Sequence, residues 1–137
     1  MTTFALDAST VLAWALEEAD SRASLARETA ENGQAVVPRL WWVEVRNGLL
    51  VNERRGRISK LLTERFLRGL SEFEISFDDA PDEASVMALA RRHRLTVYDA
   101  AYLELAQREG LELATLDRAL ANAARAEKVP VLGHRRA

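Results

Sequence analysis

The chain contains no cysteine. A disulfide framework and a cysteine-ligated zinc site are therefore excluded. Histidine is almost as scarce: His93 and His134 lie in the charged stretches RRHR and GHRR, which read as surface, and no histidine pair stands ready for zinc. No apolar run approaches the roughly 20 residues that span a bilayer. The opening MTTFALDAST lacks a basic n-region and a long apolar h-region, so no secretory signal is expected and the cytoplasm is the default location. There is no G-x-G-x-x-G and no Walker-type glycine loop, which removes the usual cradles for dinucleotides and nucleotide phosphates. A global basic field is missing too, because the formal charge is −2, so bulk electrostatics cannot hold nucleic acid. Lysine occurs only at Lys60 and Lys128. The other cations are arginine, which suits bidentate phosphate contacts, although biased codon usage explains the excess equally well.

What remains is 137 residues, 48% hydrophobic and 29% charged, the profile of a soluble globular chain with a real core. One domain over residues 1–137 is expected. Apolar patterning and caps predict strands at 2–6, 35–38, 74–77, 112–116 and 129–132. Helices are predicted at 9–19, from Asp20-Ser21 to near Gly33, at 41–55, from Ser59 to about Ser71, from Asp82 to Arg92, at 98–109 and at 117–128. Leu95-Thr96-Val97 reads as a strand or as a tight lead into the following helix. Strands alternating with helices argue for an α/β sandwich with a mainly parallel sheet. No linker, repeat or low-complexity segment interrupts it, and the closing HRRA is expected to be loose.

Acids fall at the ends of these elements. Asp7 closes the first strand and Asp117 a later one. Asp99 lies in the first turn of an apolar helix, LTVYDAAYLELAQ, on the side shared by Leu103 and Ala106. Glu44 flanks the stripe of Trp41, Val45, Gly48 and Leu49, with Asn47 one turn on. In an open parallel sheet, ligands bind beyond the carboxyl ends of the strands. Each acid also has an ordinary explanation. An aspartate at a helix start is a good N-cap, Ser9 and Thr115 could be turn or cap hydroxyls, and Glu44 and Asn47 could be solvated. Trp41 and Trp42 read as core or dimer contacts, and Tyr98 and Tyr102 as packing residues.

Their conjunction is what lifts the acids above these explanations. Carboxylates clustered without cations raise one another's pKa values. A hard divalent ion such as magnesium or manganese removes the conflict, and such sites serve phosphoryl chemistry.

Four stretches carry this pattern in order: LDAS at 6–9, WWVEVRNGLL at 41–50, TVYDAAYLELA at 96–106 and LATLDRAL at 113–120. Together they resemble the PIN-domain ribonucleases, specifically the VapC-type toxins of bacterial toxin–antitoxin pairs, over essentially the whole chain. The resemblance implies a PIN-like α/β/α sandwich with a mainly parallel central sheet, often homodimeric. It implies that Asp7, Glu44, Asp99 and Asp117 are the catalytic, metal-binding acids for Mg2+ or Mn2+. Ser9 and Thr115 match hydroxyls near the metal, and Asn47 matches a polar residue beside the glutamate. The implied activity is hydrolysis of RNA phosphodiesters, restrained by a cognate antitoxin whose C-terminal segment blocks the acidic pocket. Some relatives carry a further acid beyond the position of Asp117. Here that turn is RALANAA, with Asn122 its polar residue, so one ion and two both fit.

Other readings fit less well. A receiver domain wants paired acids in its first loop and a late lysine, whereas Asp7 stands alone and Lys128 falls in a helix. A catalytically silent module, whose acidic pocket accepts an arginine-bearing partner segment, is the nearest alternative.

Overall fold

A computed structural model describes residues 1–133. The elements are β1 (Thr3–Leu6), α1 (Ala8–Ala15), α2 (Ser21–Glu31), β2 (Gln34–Pro38), α3 (Leu40–Arg54), α4 (Lys60–Leu70), β3 (Ile75–Asp78), α5 (Glu83–His93), α6 (Val97–Glu109), β4 (Glu112–Ala114) and α7 (Arg118–Ala126). The sheet order is β3-β2-β1-β4, and every pairing is parallel. Strand β1, with Phe4, Ala5 and Leu6 wholly buried, lies between β2 and β4, which accounts for its unbroken apolar run. The chain steps one way from β1 to β3 and then crosses back to β4. Right-handed crossovers therefore put α1 to α4 on one face and α5 and α6 on the other. Consistent with this, α1 packs on α2 and α3, while α6 lies against β1, β2 and β4 beside α5 and α7. The reversal of direction falls between β1 and β4, where the carboxyl ends of the strands open a crevice.

Local chemistry sets most boundaries. Asp20, Ser59, Asp82 and Thr96 cap α2, α4, α5 and α6 by accepting backbone N–H groups. Gly110 ends α6 in the left-handed region at φ +65°. Gly48 has a different use. A Cβ there would lie 2.4 Å from Leu12 Cδ1, so its bare backbone lets α3 close onto α1.

Two expectations are corrected and one open alternative is decided. The first helix stops at Ala15 rather than Ala19, because Glu17 turns to φ +52°. Of the two readings of Leu95-Thr96-Val97, the tight lead into the helix holds: Thr96 is the cap of α6. The last strand shrinks to one parallel bridge, Leu113 with Val131. Two further side chains differ from their readings. Tyr98 is exposed rather than packed, and His93 is mostly buried, with Nε2 2.6 Å from Glu127 Oε2. His134 and the HRRA tail lie outside the described residues. Among the described residues no helix is long and apolar enough to cross a membrane.

Candidate active site

Asp7 leaves β1 and opens α1, buried beyond the strand ends. It occupies the N-cap position, yet its side chain caps nothing. Instead Oδ2 accepts from Thr115 Oγ1 at 2.6 Å and from Ser9 Oγ at 2.8 Å. No hydrogen bond reaches Oδ1 among the described residues. The two hydroxyls are themselves held: Ser9 Oγ accepts from Leu116 N, and Thr115 Oγ1 from Asp117 N, each at 3.1 Å. Both expected hydroxyls therefore cross from α1 and the end of β4 to grip one carboxylate. Asp117 does act as a cap, with Oδ1 accepting from Leu120 N at 2.9 Å.

Asp99 is not a cap. It sits in the first turn of α6, where its backbone N–H is taken by Thr96 Oγ1. Burial raises its pKa to about 6, and the charges of Asp7 and Asp117 add to the rise. Glu44 reaches in from α3. Burial raises its pKa as well; the hydrogen bond from Tyr102 works against the rise and the charge of Asp99 adds to it. Burial likewise pushes Asp7 up, against the Thr115 and Ser9 hydrogen bonds and with help from Glu44 and Asp117. The four predicted acids thus come within electrostatic reach of one another at one end of the sheet.

Among the described residues no counter-charge meets these acids. Glu104, Asp78 and Glu127 are the other well-buried acids, and each has an arginine: Arg108 for Glu104 and Asp78, Arg92 for Glu127. None of Asp7, Glu44, Asp99 and Asp117 has an ion-pair partner among the described residues. Arg39 and Arg46 are engaged elsewhere: Arg39 pairs with Asp79, and the Arg46 guanidinium lies 4.1 Å from the ring centroid of the exposed Trp42. Trp41 is core.

Among the described residues no three of His, Cys, Asp and Glu form a ready-made metal cage. A magnesium-type ion does not need one, since it keeps several waters and takes one or two carboxylates directly. An all-oxygen set of mutually repelling carboxylates, with one Asp7 oxygen left without a donor, fits such an ion.

Asn47 is exposed one turn beyond Glu44, and its side chain makes no hydrogen bond among the described residues, so nothing here ties it to the acids. Sequence reasoning missed the role of Tyr102. It is fully buried as expected, but its hydroxyl donates to Glu44 Oε1 at 2.7 Å. The available signal was the rule that a buried tyrosine hydroxyl needs a partner, together with its place three residues after Asp99.

Comparison with known proteins agrees with this geometry. The family model described as PIN domain matches residues 4–126. Ribonuclease VapC3 of Pyrobaculum aerophilum is 37% identical over 120 residues, covering 85% of this chain and 82% of that protein. The crystal structure of PAE2754 from Pyrobaculum aerophilum superposes with a TM-score of 0.67 at 29% identity, covering 89% of this chain and 84% of that one.

Proposed function

The chain belongs to the PIN-domain family, as a VapC-type member, and on that premise we propose that it is a Mg2+- or Mn2+-dependent endoribonuclease. It acts as the toxin of a type II toxin–antitoxin pair. The observation that carries this reading is the contrast among its acids. Among the described residues, every well-buried carboxylate outside the crevice is ion-paired, and the four in the crevice are not. Uncompensated buried charge is costly, and a divalent cation offsets it.

Asp7, Asp99 and Asp117 would hold the ion, and Glu44 would either join them or orient the attacking water. A divalent ion bound there supplies Lewis acidity and counter-charge for hydrolysis of a phosphodiester by water. Ser9 and Thr115 keep Asp7 in one rotamer by donating to the same oxygen, which leaves Oδ1 for the ion. Attack by water rather than by the ribose 2′-OH leaves a 5′-phosphate. With no net positive charge, the protein would select RNA by shape and unpaired loops. A cognate antitoxin would cover the crevice with its C-terminal segment. The protein would work in the cytoplasm, as a homodimer.

The test is cleavage of total cellular RNA by purified protein freed of antitoxin, with manganese, with chelator, and with a folded Asp99→Asn variant. Manganese-dependent cutting that yields 5′-phosphate ends and is lost in the variant is the expected result. A 2′,3′-cyclic product would overturn the mechanism. Metal-independent capture of an arginine-bearing peptide without cutting would favour the silent binding module.

A further inference from the structure

Glu44 differs from the other three acids in how it is held. Asp7 has two hydroxyl donors, Asp117 has a backbone amide, and Asp99 is a short side chain in the first turn of α6. Glu44 is longer and comes from α3, in the other helical layer, so it has more rotamer freedom to lose. Its one hydrogen bond among the described residues is from Tyr102. That phenol sits on α6, three residues beyond Asp99, and none of the side chain is exposed.

We infer that Tyr102 is a positioning residue: its hydroxyl, joining α6 to α3 beyond the strand ends, holds Glu44 in the orientation that serves the divalent ion. This inference rests on the metal-dependent reading above and adds a residue to it. The bond crosses 58 positions of sequence and joins the two helical layers at the crevice. In this bond the phenol donates and the Glu44 carboxylate oxygen accepts. Helix α6 also packs on β1, the strand that leads into Asp7. Tyr102 therefore stands between the elements carrying three of the acids. A phenylalanine would fill the same space with the same ring and would leave Glu44 untethered.

The experiment is direct Mn2+ titration of the full chain by calorimetry, on wild type, Tyr102→Phe, Glu44→Ala and the double variant. Far-UV circular dichroism in chelator checks the fold of each. Tyr102→Phe should bind Mn2+ about 10-fold to 100-fold more weakly, the usual effect of removing a group that orients a ligand. In the Glu44→Ala background the same change should have no further effect. Glu44→Asp, which draws the carboxylate back from the phenol, is the second variant and should weaken binding even if Tyr102→Phe misfolds. Three results would overturn the inference. Wild-type affinity in folded Tyr102→Phe would refute it and leave the metal reading standing. An equal loss with and without Glu44 would show that the ring position, not the tether, matters. No Mn2+ binding by wild type would remove both readings together.

Discussion

Replacing Asp99 by asparagine should stabilise the metal-free protein while destroying its use of metal. In the folded chain Asp99 titrates at about 6 rather than 3.8, because burial and the charges of Asp7 and Asp117 oppose its ionisation. A carboxyl that holds its proton more tightly when folded disfavours folding once it must ionise. The cost is absent below pH 3.8, grows as pH rises towards 6, and is complete above it. At about 1.4 kcal/mol per pH unit the ceiling is about 3 kcal/mol. Asp99 is only partly buried, so screening by solvent reduces this to about 1–2 kcal/mol. Asparagine keeps the shape and removes the charge. In chelator at pH 7.5 the variant should therefore melt about 4–8 °C higher than wild type. The advantage should fade as the pH falls to 4. Manganese should reverse the order, because only wild type gains by ligand binding, about 2.7 kcal/mol at one hundred times the dissociation constant. Differential scanning fluorimetry across pH, with and without metal, reads all three effects. A variant less stable than wild type in chelator at pH 7.5, or an advantage undiminished at pH 4, would refute the electrostatic argument.

Other outcomes follow from the same geometry. Thr115→Val removes a donor 2.6 Å from Asp7 Oδ2 and an acceptor for Asp117 N; RNA cleavage should fall about 10-fold to 100-fold, and unchanged rates would show that Asp7 needs no such hold. Gly48→Val places atoms where Leu12 already packs, so urea unfolding should show a loss of about 1–3 kcal/mol, with Glu44 displaced and cleavage reduced. Glu127 is held at a pKa of about 2, chiefly by His93 and then Arg92. Its stabilisation is present above its ordinary 4.5 and is lost as pH falls from there towards 2. Glu127→Gln should cost about 1–2 kcal/mol at pH 7, allowing for the exposed Arg92, and the two proteins should converge near pH 2 in urea melts.

Much of this protein was determined by the sequence alone, where the governing physics is local. Strand–helix alternation reflects periodic burial, so the order and type of nearly every element were legible. Caps such as Ser59, Asp82 and Gly110 marked boundaries because they satisfy backbone groups a few residues away. The acids stood out for the same reason, being charged residues at the ends of apolar runs. Boundaries failed where the backbone turned without a glycine signal, at Glu17, and where a strand depended on a distant partner, at Val131.

Tertiary structure decided which aspartates were caps. Asp117 turned out to be one, whereas Asp7 and Asp99 did not. Only packing could show this, because Asp7 is held by Thr115, 108 residues away. The strand order β3-β2-β1-β4 placed Asp7 and Asp117 on neighbouring strand ends, and no periodicity encodes that order. The partnerships of Glu44 with Tyr102 and of Glu127 with His93 also wait on helices meeting across the fold. Sequence supplies groups with a tendency to be buried or charged. Whether a buried charge is met by an arginine, a hydroxyl or nothing depends on what the folded chain brings opposite it. That difference separates the structural acids from the four at the crevice.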